Sequence, residues 1–165
     1  MKETKAYVSI FIIFFLIFVM VGCSKNQSIT SVDSPVSLPY KDFLDIRELS
    51  EGEKIRKSNL DLGITNKSND CVLFPYDYGV QIFALIDNIW KEVPNIVEYP
   101  NKTEIILSTT SEGLSDAIVY ITPDYSTLNE SPRTVRVIMN ANLCKNGIPT
   151  DERVIDYIDI DLGKQ

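Results

Sequence analysis

Three cysteines, one run of aromatic side chains and one row of carboxylates are the groups in this 165-residue chain with chemistry worth weighing first. Cys23 directly follows an uncharged apolar run, and Cys71 and Cys144 are the two remaining thiols. The stretch Phe74-Pro75-Tyr76-Asp77-Tyr78, with Phe83, Trp90 and Tyr99 nearby, is the most distinctive composition in the chain. Exposed rings of this kind stack on sugars or anchor a partner protein, because they offer large rigid contact area at low entropy cost. The same rings also suit the core and edge of a β-sandwich, where Phe74, Phe83 and Trp90 would be buried. Tyr76, Asp77 and Tyr78 stand between Pro75, which fixes a backbone torsion, and Gly79, which permits a sharp turn. They are the candidate binding residues.

Asp156, Asp159 and Asp161, preceded by Asp151 and Glu152, offer oxygen ligands. Calcium takes about six to eight oxygens from converging loops, with a loop glycine and a bidentate Glu at set distances. The row has neither, so no metal site is expected. A solvated strand face whose charges discourage edge-to-edge pairing is the expected role. The chain contains no His, which removes the usual general base near neutral pH, the Ser-His and Cys-His pairs and the commonest zinc ligand. No catalytic residue and no cofactor are expected, and the chain is read as a non-enzyme. With 16 Lys plus Arg against 23 Asp plus Glu, the net charge is -7. Nucleic acid is excluded as a partner, since no basic surface is available for phosphates.

The elements that must position these groups begin at the N-terminus. Lys2 and Lys5 form a short basic start, and residues 8–21 read VSIFIIFFLIFVMV without a charge. A bilayer core needs roughly 20 residues of helix, so this run suits the apolar region of an export signal better than a permanent span. Gly22 and Cys23 follow at once. Met20-Val21-Gly22-Cys23 resembles the bacterial lipobox, with Met20 where Leu is usual. The resemblance implies a signal peptide over residues 1–22, formed as a helix, and a diacylglycerol on the thiol of Cys23. The protein would then be extracytoplasmic and held by lipid at the cell membrane, or at the outer membrane of a two-membrane bacterium because Ser24 is not Asp. Residues 23–37 are mostly small and polar and read as a flexible tether. The folded domain is expected over residues 38–165.

Within it, apolar residues recur with period two in short runs broken by Asn, Asp, Gly and Pro. Leu60, Leu62 and Ile64 alternate with Asp61, Gly63 and Thr65. Nine strands are expected: 43–49, 60–65, 71–74, 79–86, 89–93, 103–107, 117–122, 133–141 and 153–162. Asp87-Asn88 makes a tight turn between two of them. Val135, Val137, Met139 and Ala141 face one way, Arg136 and Asn140 the other. Such a chain makes an all-β antiparallel sandwich of seven to nine strands, with Leu60, Leu62, Ile64, Val80, Ile82, Trp90, Val135, Val137, Ile158 and Ile160 buried.

The segment 60–90 contains L-x-L-x-I-T-N-K-S-N-D-C-V-L-F-P, then G-V-Q-I-F-A-L-I-D-N, then I-W. It resembles bacterial Ig-like (fibronectin type III-like) domains, including a proteinase-inhibitor family with the same opening. These motif residues imply fold rather than activity, and Ser111-Glu112-Gly113 stands where that family often has a Pro-Gly segment. The resemblance also implies that the first two strands of this segment form a hairpin. It further implies that Cys71 and Cys144 lie on parallel strands at opposite ends of the sandwich, and so stay free thiols.

The function expected from all this is a lipid-anchored binding or accessory module, with a protein or polysaccharide as its partner. A protease or hydrolase inhibitor acting through rigid loops is the second reading, and an envelope carbohydrate-binding module is a third. Acyl chains contribute about 0.8 kcal/mol per buried methylene, so a multiply acylated N-terminus at Cys23 would hold the protein at a bilayer without a transmembrane helix. In cells, Cys23→Ser is expected to leave the precursor uncut or to release the protein from membranes. Fractionation and the size of the processed chain check this, and a variant that stays processed and membrane-bound would refute the anchor.

Overall fold

A chain whose apolar side chains fall on every second residue hides them by laying one sheet face on another. The computed structural model describes residues 31–32, 43–49, 59–109 and 115–163. The expected signal helix over residues 1–22, the lipidation site Cys23 and the Ser111-Glu112-Gly113 segment lie outside the described residues. Among those described, the first five strands are β1 (Ser31–Val32), β2 (Leu44–Glu48), β3 (Leu60–Asn66), β4 (Cys71–Phe74) and β5 (Gln81–Ile86). The next five are β6 (Ile89–Val93), β7 (Ile105–Leu107), β8 (Asp116–Ile121), β9 (Thr134–Lys145) and β10 (Ile148–Asp161). All nine runs expected from the alternation are strands. The additional one, β1, is two residues long, lies within the segment read as a tether, and runs antiparallel to β6.

The strands build an all-β sandwich of two antiparallel sheets. The smaller has the order β2-β3-β8, and the larger β1-β6-β5-β9-β4-β7, with β10 also paired to β9. Strand β10 follows β9 from Thr134 to Lys145. On the other edge of β9, β5 takes residues 134–138 and β4 takes residues 142–144, both antiparallel to it. Strands β4 and β5 therefore point the same way and lie end to end. The β9–β10 hairpin turns at Asn146 and Gly147, both with positive φ (53° and 75°), the backbone that a two-residue Asn-Gly turn requires. That turn carries β9 four residues beyond the expected end at Ala141. Asp87 and Asn88 turn with φ of 50° and 63°, as expected.

The core lies between the sheets. Leu60, Leu62 and Ile64 of β3 belong to one buried cluster with Ile82 of β5, Val135 and Val137 of β9 and Ile160 of β10, all expected there. Three expectations need correction. Val80 precedes β5 in a loop and Ile158 sits on the edge strand β10, and each is half-buried against the core instead of within it. Trp90 is buried, but on the outer face of the larger sheet, because its register partner is the outward Leu85 and not the inward Ala84. There it joins Phe83 and Ile138 in a satellite cluster. The Arg136 guanidinium sits 4.6 Å from the Trp90 ring centroid and 4.3 Å from that of Tyr157. It also forks onto Asp159 at 2.6 and 2.7 Å. The strand face that carries Asp159 is expected to be solvated, yet cation–π contact and a two-pronged ion pair cover part of it.

Polar side chains tie the two sheets together. Asp156, 1 % exposed, faces inward and accepts from the Leu44 N–H of β2 at 3.1 Å and from Tyr157 N–H at 2.8 Å. The carboxylate row is thus divided: Asp156 serves the interior while Asp159 and Asp161 lie outside. Asn66, fully buried at the end of β3, donates through Nδ2 to the carbonyls of Asp70, Leu107 and Ser108 at 2.8 to 3.1 Å. Its Oδ1 accepts from the N–H and hydroxyl of Ser68. Strands β3 and β4 belong to different sheets, so this connection is an arch and not the hairpin the resemblance implied. The placement of the cysteines changes too. Both are free thiols, but Cys71 and Cys144 are direct register partners across the antiparallel β4–β9 pair.

Leu62→Ala and Val137→Ala are expected to cost about 2–4 kcal/mol each, from lost transfer energy plus a cavity. Arg136→Ala removes two ring contacts and a fork, and about 1–2 kcal/mol is expected. Urea unfolding checks the order; an Arg136 variant as costly as the core variants would contradict this register.

Candidate functional site

The larger sheet itself makes the loop that carries Tyr76, Asp77 and Tyr78. The chain leaves the edge of β9 after Leu73 and returns to the same edge at Gln81, so the loop 75–80 lies in an excursion from an otherwise continuous line of pairing. Pro75 has no N–H to offer a ladder. Tyr78 N–H donates to the Pro75 carbonyl at 2.9 Å, and Val80 N–H to the Asp77 carbonyl at 3.2 Å. Asp77 Oδ1 accepts from Gly79 N–H at 3.0 Å, a turn that a short carboxylate favours. Tyr78 and Gly79 both have positive φ, 57° and 58°.

Asn140, at the gap on β9 between the two pairings, closes the base of the loop. Its backbone N–H and its Nδ2 both donate to the Gly79 carbonyl, at 3.2 and 2.9 Å. Nδ2 also reaches Gln81 Oε1 at 3.2 Å. A Cβ on residue 79 would lie 2.3 Å from the Asn140 carbonyl oxygen, so only glycine fits so close to β9.

The three candidate residues separate once placed. Tyr78 turns toward the core, tilted against Phe74 at 5.6 Å between ring centroids and against Tyr99 at 6.4 Å. Burial raises its hydroxyl above the ordinary tyrosine range. Tyr78 is a supporting ring. Tyr76 is 39 % exposed, and Asp77 is half-buried beside it.

Residues 95–102 form a second wall. Asn95 Oδ1 accepts from Val97 N–H at 3.2 Å and Thr122 N–H at 3.0 Å, and Ile96 N–H donates to the Thr122 carbonyl. The Tyr99 hydroxyl donates to the Tyr120 carbonyl at 2.9 Å. Its pKa is raised, first by burial; the hydrogen bond with Asn95 works against the shift, and the charge of Asp77 adds to it. Between the loop and this wall lies a recess of about 560 Å³. Tyr76, Asp77 and Val80 line one side, and Asn95, Val97, Glu98, Tyr99 and Lys102 the other. A smaller recess of about 290 Å³ borders the loop at Phe74 and Pro75, beside Asn140, Asn142 and Arg153.

Two tyrosine rings, two carboxylates, an amide and an ammonium line the larger recess. That lining recognises a polar ligand through hydrogen bonds to both donors and acceptors while a ring packs on its apolar face. Among the described residues, no three His, Cys, Asp or Glu side chains converge to hold a metal ion. Sequence reasoning missed Asn95, Glu98 and Lys102, which follow the loop by about twenty residues in a segment without periodic spacing. The ring of Tyr99 was the one sign of that wall. Comparison with protein-family models, with curated proteins and with solved structures gives no match for this chain.

Gly79→Ala is expected to destabilise the fold by at least about 1–2 kcal/mol, through positive φ and the clash with β9. Tyr78→Ala is expected to cost about 2–4 kcal/mol and Tyr76→Ala under about 0.5. Thermal denaturation of the three variants checks this ranking, and equal losses for the two tyrosines would erase the distinction drawn between them.

Proposed function

We propose that this chain is a lipid-anchored, extracytoplasmic binding module without catalytic activity, joined to a membrane through Cys23, and that the recess beside the 75–80 loop is its binding site. The observation that carries the reading is the recess. It pairs an exposed Tyr76 with Asp77, Glu98 and Lys102, and both of its walls are pinned by backbone hydrogen bonds. A site that does not need ordering on binding loses less entropy to its ligand. The non-enzyme reading rests on the residue inventory, which offers no His to activate a nucleophile or move protons near neutral pH.

Polysaccharide of the cell envelope is the ligand class this lining favours. Hydroxyl-rich rings present apolar faces to tyrosine and hydroxyl edges to carboxylate, amide and ammonium groups. A protein ligand, as for an inhibitor acting through a rigid loop, is the second reading. It is favoured by the exposed Pro75 and Tyr76 on a loop held by Asn140.

Purified protein incubated with envelope polysaccharide and with envelope protein fractions separates these readings. Retention on polysaccharide is expected, with Tyr76→Ala losing about 1–3 kcal/mol of affinity while its melting temperature stays in place. Retention unchanged by Tyr76→Ala would remove the recess from the binding site.

A further inference from the structure

We propose that Cys71 and Cys144 are a modification site, joined as a cross-strand disulfide by exchange with a disulfide oxidant and clamping β4 to β9 at the base of the 75–80 loop. Register carries the inference. The two residues face each other in an antiparallel pair, so their Cα atoms are about 4.5–5.5 Å apart and their side chains leave the sheet on one face. Disulfides span Cα separations of about 4.4–6.8 Å. The separation that the register gives falls within that range. Cys71 Sγ already donates to the Cys144 carbonyl oxygen at 3.5 Å, which holds it over its partner residue.

Access sets the order of events. Cys71 is half-buried, and Cys144 is 1 % exposed. An external disulfide therefore meets Cys71 first. Burial, with a smaller contribution from the hydrogen bond with Cys71, pushes the Cys144 thiol up to about 12, so it keeps its proton until its partner has reacted.

In the first step the Cys71 thiolate attacks one sulfur of the oxidant. The oxidant's S–S bond breaks, and one thiolate leaves with the bonding pair. In the second step Cys144 gives up its proton and its sulfur attacks that of Cys71, expelling the second oxidant thiolate. The two leaving thiolates take up the two cysteine protons, and the cysteines lose the two electrons that the oxidant gains. The bridge spans 73 positions of sequence and fixes the strand that runs into the loop two residues after its last pair, Leu73 with Asn142, and six before its first return to β9. It does not depend on the ligand proposed above.

The test uses the full chain with Cys23→Ser, which leaves these two thiols. One sample is treated folded with oxidised glutathione, and another is refolded from urea in the same oxidant. Trypsin cuts after Lys67, Lys91, Arg136 and Lys145, so the bridge is read as a linked pair of peptides, 68–91 with 137–145, that separates on reduction. The oxidised chain is expected to weigh two hydrogen atoms less and to melt roughly 10 °C higher. Adding Cys71→Ser should abolish both changes. Peptides that stay unlinked in both samples, with the thiols alkylated or capped by glutathione while circular dichroism shows the β fold, would overturn the proposal.

Discussion

The larger sheet depends on β9 having two usable edges and two unlike faces. One edge is filled by β10 alone, and the other is divided between β4 and β5. One face supplies Val135, Val137 and Met139 to the core, while the other supplies Arg136 to the rings of Trp90 and Tyr157. A strand that meets four obligations has a fixed register, because a slip of one residue would move its apolar row to the wrong side and unpair both edges. The candidate recess inherits this rigidity. Its loop starts and ends on β9, and Asn140 of the same strand holds its base.

Buried polar groups add direction to what apolar packing leaves free. Leu, Ile and Val drive the sheets together, but contact between smooth apolar faces tolerates sliding and rotation. Asp156 fixes β10 against β2, Asn66 fixes the end of β3 against β7, and Asn95 fixes the chain after β6 against β8. Each sits where a strand of one sheet meets the other sheet, and each satisfies backbone groups that would otherwise be stranded away from water. Their energetic worth is modest beside the core; what they specify is alignment.

Alternation of apolar residues is a local property, and it made all nine longer strands and most of the core legible from the sequence. Leu60, Leu62 and Ile64 needed only their neighbours to be read. Pairing is not local. Nothing in the spacing of 71–74 and 79–86 says that β4 and β5 share one edge of β9, and so the meeting of Cys71 with Cys144 was invisible. Trp90 was misplaced for a related reason, since a strand face is inner or outer only relative to a partner. Asn146-Gly147 did carry a readable hairpin signal, and using it would have extended β9 to Lys145. At the site, Pro75 and Gly79 marked the loop, but the wall at 95–102 reaches it through the edge of β8, which no sequence period announces.

The place of β9 in the chain also bears on how the molecule comes into being. Among the described residues it is the ninth of ten strands to be synthesised, yet β4 and β5 cannot be aligned with each other until it arrives. Earlier segments offer the β5–β6 hairpin, the two-residue β1–β6 pairing and the three-residue β4–β7 pairing on which to build that sheet. Pairings this short add little to a hairpin that is marginal in water, so the sheet closes late. Until β9 is made, β4 and β5 thus present an unfilled edge of that sheet, open to any machinery that handles polypeptides before they fold.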